Sequence, residues 1–323
     1  MKKYTILVTA VGAIVGYGII NSLKESGYDL HIIGCDIFSD AVGQYFADEF
    51  VISVPAADEG YPEFLKRLID EKNIDMVLFG IEQEISAVLR NIDKFKGYED
   101  KLIINNRDII SLCDDKWLTY CWLNENGLGS YAIPSVIYGS FEEISKQFDT
   151  PFLIKPRISR AGKGIVNISS EEDFIYFKKK TGNNFMAQKI IGDSSHEYTV
   201  GLFGLSDGSY INEIVLRRTL SQEGATNKAW VVEDPALTEA TKKITEILKP
   251  EGPTNYQFRK EGDNVYLLEI NPRISSSTSI RNAFGINEAK MCIEYYLEGC
   301  KPSKVEIKKG RAIRYISDMV FYI

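Results

Sequence analysis

The chain has 323 residues, of which 44% are hydrophobic and 26% carry charge, and its formal net charge at pH 7 is -7. This composition is typical of a folded globular protein and excludes the disordered and fibrous classes, and the length predicts about two or three domains. The acidic balance, without a block rich in lysine and arginine, excludes a nucleic acid as the expected partner.

The cysteines and histidines predict neither a disulfide framework nor a zinc site. The five cysteines include no CxxC pair, and the two histidines, His31 and His196, are isolated from each other. The sequence also shows no signal-peptide core and no apolar run of membrane-spanning length. We therefore expect a cytoplasmic protein that is neither exported nor embedded in a membrane.

The first third of the chain reads as alternating strands and helices. A strand at residues 4–10 is followed by glycines at 12, 16 and 18 and by a helix at 19–26, and further strands are predicted at 30–35 and 76–79. Strands that alternate with helices indicate a parallel sheet covered on both faces. We predict an α/β domain over residues 1–113.

The remaining chain predicts two further units. Residues 114–184 contain short strands and helices, which indicates a small α+β lobe. Longer strand-like runs begin at residues 185, 198, 210, 255 and 265, with a helix at 235–248 between them. We predict that residues 185–323 form a larger, mostly antiparallel sheet domain.

The strongest chemical signal lies where a predicted strand ends at residues 267–273. Strand alternation places Glu269 and Asn271 on one face, and Gln257 in the preceding strand has the same parity if the two strands form a hairpin. Three oxygen donors of this kind suit Mg²⁺. The residues alone are equally consistent with the polar face of an edge strand that ends in a turn and binds no metal.

Two other segments carry groups suited to a nucleotide. Lys155 ends an apolar strand and precedes a basic loop with Gly162 and Gly164, whose backbone N–H groups can face a polyphosphate. The segment 187–191 can present backbone groups to a flat ring, and Glu197 can offer a carboxylate to hydroxyls. Taken singly, the first is equally an exposed basic hairpin loop and the second is ordinary sheet sequence.

In this order along the chain, the segments resemble the ATP-grasp superfamily, and most closely its carbamoyl-phosphate-synthase-like ligases. The resemblance covers nearly the whole chain and rests chiefly on the Glu-Ile-Asn-Pro-Arg string at 269–273 with the upstream Asn-x-Gln-Phe at 255–258. It implies an ATP-grasp fold preceded by a parallel-sheet pre-ATP-grasp domain. It also implies an enzyme, an ADP-forming ligase that activates a carboxylate as an acyl phosphate for attack by an amine or a thiol.

The resemblance also implies roles for single residues. Those that would hold ATP are Lys116, Lys155, Arg160, Gly162, Lys163, Gly164, Gln188, Lys189, Ile190 and Glu197, with Gln188 and Ile190 along adenine and Glu197 at the ribose. Those that would hold Mg²⁺, with Mn²⁺ as an alternative, are Gln257, Glu269 and Asn271. Lys155, Arg273 and Arg281 would act on the reacting groups. The implied partners are a small carboxylate, an amine and, as one assembly that the family allows, a homodimer.

Some features depart from the family pattern. Ser159-Arg160-Ala161 replaces a more glycine-rich loop, Gln188 stands where an acid is common, and a hydroxyl-rich turn follows Arg273. We predict that Arg281, with Arg217 or Arg218, binds the activated acid, because arginine matches the geometry of a carboxylate. The alternative is that these arginines lie on the surface.

Two rival functions remain open from the sequence. One is carboxyphosphate chemistry on bicarbonate, as in a carbamoyl phosphate synthase subunit, which would need a partner that supplies ammonia. The other is a dinucleotide-binding oxidoreductase, indicated by the N-terminal glycines and by Asp36 after the second strand. The glycine spacing is not GxGxxG, which disfavours this second rival.

Overall fold

The structure is a computed structural model that describes residues 3–159, 162–182, 184–222 and 224–322. The strands are β1 (Tyr4–Val8), β2 (Leu30–Asp36), β3 (Glu49–Ile52), β4 (Met76–Leu78), β5 (Ser135–Val136), β6 (Phe152–Pro156), β7 (Val166–Ile168), β8 (Phe185–Gln188), β9 (Glu197–Leu205), β10 (Tyr210–Leu220), β11 (Thr226–Val231), β12 (Glu251–Glu261), β13 (Asn264–Asn271) and β14 (Arg311–Ile313). The α-helices are α1 (Ile14–Lys24), α2 (Tyr61–Glu71), α3 (Glu82–Arg90), α4 (Arg107–Asp114), α5 (Lys116–Glu125), α6 (Phe141–Phe148), α7 (Glu171–Thr181), α8 (Pro235–Leu248), α9 (Thr278–Ala283) and α10 (Glu288–Cys292). In these ranges, no helix has both the length and the apolar composition needed to cross a bilayer.

The N-terminal unit is built on a parallel sheet with the strand order β3-β2-β1-β4. Successive side chains of β1 point to opposite faces, so Ile6 and Val8 join one buried cluster and Leu7 joins the other. The first cluster includes α1 and side chains of the large sheet, and the second includes α2 and α3. The predicted parallel sheet with two covered faces is therefore confirmed. Helix α1 begins at Ile14, five residues earlier than predicted.

The turn between β1 and α1 depends on one glycine. A Cβ atom placed on Gly16 would lie 2.3 Å from the carbonyl oxygen of Ala10, which is a backbone atom of the preceding turn. In the same helix, a Cβ on Gly18 would lie 3.1 Å from a methyl carbon of Thr278. The first contact cannot be relieved without moving the backbone, whereas the second requires only a side chain to shift.

Replacing Gly16 by alanine should therefore destabilise the protein by about 2 kcal/mol or more, and valine should prevent folding altogether. Gly18→Ala is the matched control, because alanine favours the helix by about 1 kcal/mol, which offsets the tight contact. Urea unfolding of the three variants measures the effect. Equal stability of Gly16→Ala and Gly18→Ala would contradict the role given to Gly16.

The small sheet has the strand order β5-β8-β6-β7 and carries α6 and α7 over a core of phenylalanine and isoleucine side chains. The expectation that the strand from Phe185 opens the large sheet is wrong. β8 pairs with β6, Ala187 opposite Ile154, and with β5. The strand is short and buried on both faces, so its residue pattern fits either sheet, and only pairing decides.

The large sheet has the order β13-β12-β9-β10-β11-β14, and every pair of neighbours is antiparallel. One face packs against α8 and also against residues of α4, α5 and the following turn, including Cys113, Leu123 and Ala132. The segment predicted to open the small lobe at residue 114 thus packs with the large sheet. This packing carries α5, which begins at Lys116, to the cleft between the two sheets.

Candidate functional site

Lys155 lies at the inner end of β6 with only 5% of its surface exposed. Its Nζ donates a hydrogen bond of 2.7 Å to Oε1 of Gln188, whose Nε2 donates to Oγ of Ser135 at 2.9 Å. Burial, and next the positive charge of Lys116, lower the pKa of Lys155 to about 7. Because the amide partner is neutral, an anion placed here would favour the charged ammonium.

Lys116 is the first residue of α5 and reaches the chain that follows β6. Its Nζ donates to the carbonyl oxygen of Ser159 at 2.8 Å and to its hydroxyl at 3.2 Å. The preceding Asp115 caps α5 by accepting from the N–H of Trp117, and it pairs with Arg157 at 2.6 Å. The start of α5 is therefore tied to the base of the glycine-bearing loop, next to Lys155.

The oxygen donors lie on the β12–β13 hairpin. Glu269 stands directly opposite Gln257, and Asn271 opposite Asn255, so the predicted hairpin and its shared face are confirmed. Nδ2 of Asn271 donates to Oε1 of Glu269 at 3.0 Å, which holds the two side chains together. The residues predicted as magnesium ligands are thus adjacent.

Arg273 extends the polar face beyond the end of β13. Its Nη2 lies 3.3 Å from Oδ1 of Asn271, its Nη1 donates to the carbonyl oxygen of Ile274 at 3.0 Å, and it forms an ion pair with Glu82. Glu82 begins α3 in the N-terminal unit, so this pair joins the first unit to the metal-binding strand. Glu82 could not be predicted from the sequence, since nothing in the neighbouring residues marks it as the partner of an arginine in a distant segment.

Two small cavities connect these groups. One, of about 70 Å³, is lined by Glu82, Lys116, Ser159, Glu269, Asn271 and Arg273. The other, of about 20 Å³, is lined in part by Lys116, Lys155, Gln188 and Glu269. Lys116 and Glu269 line both cavities. The lysines at α5 and β6 therefore face the oxygen donors of the β12–β13 hairpin. Such an arrangement is suited to holding an anion and a cation together.

The donor set fits Mg²⁺ better than a transition metal. Among the described residues, no cluster of three or more His, Cys, Asp or Glu side chains exists that could hold a metal. The hairpin instead offers one carboxylate with amide oxygens beside it, and Mg²⁺ completes such a partial set with water and phosphate oxygens. Glu269 and Asn271 would hold the ion.

The chain is similar to known proteins in sequence and in fold. A family model described as "ATP-grasp in the biosynthetic pathway with Ter operon" matches residues 186–319. The carbamoyl phosphate synthase large chain of Methanosarcina barkeri is 22% identical over 349 residues, covering 95% of this chain and 32% of that one. Tyramine–L-glutamate ligase of Methanocaldococcus jannaschii is 23% identical over 266 residues, covering 80% and 78%. A biotin carboxylase complex from Campylobacter jejuni matches with a TM-score of 0.73 at 17% identity, covering 95% and 74%.

Residues 186–319 match an ATP-grasp family, and the chain shares its fold with the carboxylase structure. The predicted superfamily, its carbamoyl-phosphate-synthase-like branch and the fold class are confirmed. The chain spans about a third, 32%, of the length of the carbamoyl phosphate synthase large chain that it matches.

The glycine-bearing loop joins β6 to β7. Gly162 and Gly164 have φ of 68° and 80°, in the left-handed region that glycine adopts without strain, and Lys163 between them is exposed. Arg160, also assigned to this loop, lies outside the described residues. The loop starts from Ser159, which Lys116 holds, so its base stands at the cleft. Contact of the loop with phosphate stays a prediction.

The segment assigned to adenine and ribose follows β8. The backbone N–H of Lys189 already donates to the carbonyl oxygen of Pro134 at 3.0 Å, and Ile190 is partly buried beside it. Glu197 is 4% exposed, and its two oxygens accept from Arg218 at 2.9 Å and Arg259 at 2.7 Å. A ribose contact for Glu197 stays a prediction, and it would share this carboxylate with two arginines.

Arg217 and Arg218 point to opposite faces of β10, as strand alternation requires. Arg217 is exposed and lies over the ring of Trp230, 5.1 Å from the ring centroid. Arg218 is buried and donates to Glu197 and to Oε1 of Gln257. Only Arg218 lies beside the proposed metal ligands, and it occupies the oxygen that Gln257 would offer to an ion.

The expectation that Arg281 binds the activated acid is not supported by its position. Its side chain is 0% exposed, donates to Glu288 at 2.8 Å and to Thr199 at 3.1 Å, and also donates to Asn255. A Cβ on Gly201 would lie 2.3 Å from its Cζ, so the guanidinium packs directly on the sheet. Both Nη groups of the guanidinium already donate hydrogen bonds inside the protein. Because Arg281 is buried, the alternative that it lies on the surface is wrong as well.

The pKa of Lys155 predicts how nucleotide affinity varies with pH. Near pH 6 the amine is already charged, whereas at pH 8 most of it is neutral and must take up a proton when phosphate binds. MgADP binding should therefore take up close to one proton at pH 8, and affinity should fall as pH rises above about 7. Calorimetry in buffers of different ionisation enthalpy measures the uptake. Lys155→Met should abolish it, and undiminished uptake in this variant would contradict the assignment.

Proposed function

We propose that the chain is an Mg-ATP-dependent ligase that joins a carboxylate to an amine, or to a thiol, through an acyl phosphate and releases ADP and phosphate. The observation that carries the proposal is the convergence of Lys116, Lys155 and Arg273 with the Glu269–Asn271 pair on one cleft. A carboxylate needs a better leaving group than oxide, and the γ-phosphoryl group of ATP supplies one. The site offers the charges that this transfer requires.

Each group would have a distinct role. Lys116 and Lys155 would bind phosphate oxygens and offset the negative charge that gathers when one anion attacks another. Glu269 and Asn271 would hold Mg²⁺, which when bound would supply positive charge that offsets the charge of the phosphate oxygens. Arg273, positioned by Glu82, would face the transferred phosphoryl group. The loop with Gly162 and Gly164 would cover the cleft and exclude water from the acyl phosphate.

The rival within the superfamily is carboxyphosphate chemistry on bicarbonate, which the names of the carbamoyl phosphate synthase and biotin carboxylase relatives indicate. The tyramine–glutamate ligase relative, which this chain covers over most of its length, favours joining an organic acid to an amine. A cavity of about 1040 Å³ beside the cleft also has room for an organic substrate far larger than ammonia. We therefore favour the carboxylate–amine ligase.

The oxidoreductase rival has no support from the relatives, none of which is named as a dehydrogenase. Asp36, which would bind ribose in a dinucleotide site, instead accepts hydrogen bonds from the backbone N–H groups of Gly12 at 2.8 Å and Phe38 at 3.1 Å. A nicotinamide site is not proposed. We also propose a reducing compartment such as the cytoplasm, because all five cysteines are free thiols.

A screen of ADP release tests the proposed function. Purified protein with Mg²⁺ and ATP is mixed with amino acids and sugar acids in pairwise combination with amines and thiols, and bicarbonate with ammonia is included as a separate well. We expect ADP release that requires both an acid and a nucleophile. Release with bicarbonate alone would instead favour the carboxyphosphate rival.

A further inference from the structure

A large cavity opens at the carboxyl edge of the N-terminal parallel sheet, apart from the two small cavities that hold the proposed phosphate and metal ligands. Its volume is about 1040 Å³, and segments that follow β1, β2, β3 and β4 contribute to its wall. Ligands of open parallel sheets bind outside the carboxyl ends of the strands, where the strand order reverses. In the order β3-β2-β1-β4, that reversal lies beside β1, where the cavity is placed.

The cavity adjoins the proposed active site. Asp114 and Ile158 line both the large cavity and the 70 Å³ cavity that contains Glu269, Asn271 and Arg273. A molecule in the large cavity therefore lies next to the proposed phosphate end of the cleft. A second substrate bound there would be close to the acyl phosphate that it attacks.

Most of the wall is apolar. Three of its large side chains stand open to solvent, namely Ile37 at 46%, Phe38 at 63% and Ile158 at 64% exposed. Alanines at 41, 56 and 57 and Pro55 add small apolar surfaces around them. Exposed apolar side chains that meet around one concave surface are typical of a binding site for an apolar group.

The floor of the same cavity carries two buried carboxylates. Asp36 is 6% exposed and Glu84 is 5% exposed. Glu84 accepts a hydrogen bond from the hydroxyl of Thr9, which in turn accepts from the N–H of Gly80. Burial first, and then the charge of Asp36, raise the pKa of Glu84 to about 7. The two carboxylates therefore lie close enough to repel each other.

These two carboxylates, Asp36 and Glu84, have no ion-pair partner among the residues that the structure describes. Arg90 and Asp40, which also line the cavity, are both exposed to solvent. Buried carboxylates that accept hydrogen bonds but lack a positive charge beside them favour a ligand that brings one.

We propose that this cavity binds the second substrate of the ligase, and that this substrate is a primary amine with an apolar body, held as its ammonium ion by Asp36 and Glu84. The proposal rests on the proposed function for its place in the reaction. The ammonium group lies against the carboxylates of the floor, and the apolar body contacts Phe38 and its neighbours. Ammonia and bicarbonate are too small to contact the carboxylates and the apolar side chains of the cavity at the same time.

Calorimetric titration without nucleotide tests the proposal on the full chain. Three probes share a phenylethyl body and differ in the charged or neutral group that it carries: 2-phenylethylamine is a cation at pH 7.5, 2-phenylethanol is neutral and 3-phenylpropionate is an anion. We expect the amine to bind at least about tenfold more tightly than the alcohol, and the anion most weakly, since a hydrogen bond to a charged group gives about that preference. Equal binding of amine and alcohol, preference for the anion, or no binding of the amine at millimolar concentration would overturn the proposal.

Two variants test whether the carboxylates of Asp36 and Glu84 cause the preference for the amine over the alcohol. Glu84→Gln and Asp36→Asn should each reduce amine binding about tenfold and leave the alcohol unchanged. Asp58→Asn is the matched control, because Asp58 accepts from the N–H two residues ahead, as Asp36 does, but does not line the cavity. A variant that does not fold is replaced by Phe38→Ala, which changes an exposed side chain and should weaken amine and alcohol alike. Unchanged amine binding in the folded variants would contradict the proposal.

The outcome separates this proposal from the proposed function. Amine binding without ADP release for any acid would count against the ligase and leave the preference of the cavity intact. ADP release that depends on an acid and an amine, in a protein whose Glu84→Gln variant has an unchanged KM for that amine, would count against the cavity alone.

Discussion

Glu269→Ala is expected to lower ADP release by about 100-fold or more while the protein remains folded. Glu269 is the one carboxylate of the β12–β13 donor pair, stands opposite Gln257 and accepts from Asn271, so its loss removes the charged ligand of the proposed ion. A catalytic metal contributes several kcal/mol to stabilising charge in phosphoryl transfer, which gives an effect of this size. Steady-state turnover, measured at increasing Mg²⁺, reports the loss.

Asp263→Ala provides the control for this variant. Asp263 lies in the turn of the same hairpin and is exposed, so it changes the charge of the hairpin by the same amount without touching the donor pair. Glu269→Gln should retain some activity with a raised requirement for Mg²⁺ or Mn²⁺, since an amide oxygen remains. Turnover close to wild type in a folded Glu269→Ala protein would remove the metal assignment.

Arg281→Ala is expected to destabilise the protein by about 3–5 kcal/mol, because it leaves the carboxylate of Glu288 buried without a partner. Asn255 and Thr199 in the large sheet would also lose the donor that they share. Urea unfolding monitored by circular dichroism measures the change. The effect belongs to folding and not to affinity for the acid, which replaces the role that the sequence predicted.

Two further variants separate the buried pair from ordinary surface charge. Arg67→Ala removes one member of an exposed pair with Glu71 at 3.9 Å and should change stability by less than about 0.5 kcal/mol. Arg281→Met combined with Glu288→Leu removes both buried charges and should recover much of the lost stability. A stable Arg281→Ala protein with a raised KM for the acid would restore the substrate-binding role.

Local patterns predicted the hairpin of the site because its geometry depends on parity. Glu269 and Asn271 share a face since they are two residues apart, whereas Glu269 stands opposite Gln257 only because the register shifts by one residue between Gln257 and Phe258, which the turn does not predict. The superfamily also followed from these residues, because the Glu-Ile-Asn-Pro-Arg string and the upstream amide occur in a fixed order. Such information is contained within a few residues of each position.

Long-range contacts could not be predicted in the same way. The pairing of β8 with the small sheet, the ion pair between Glu82 and Arg273, and the burial of Arg281 each depend on segments that are distant along the chain. An arginine near a metal-binding strand has the same local sequence whether it faces the cleft or the core. The cavity at the N-terminal sheet was missed for this reason too, since its wall is assembled from several loops.

Identification of the nucleotide products shows whether a carboxylate is activated by phosphoryl transfer from ATP. Protein with Mg²⁺, ATP, an acid and an amine that support turnover is followed by ³¹P NMR, with Glu269→Ala as the inactive reference. We expect ADP and inorganic phosphate in amounts equal to the amide formed, and neither when the acid or the amine is omitted. AMP and pyrophosphate, or ADP formed with bicarbonate in place of the organic acid, would contradict it.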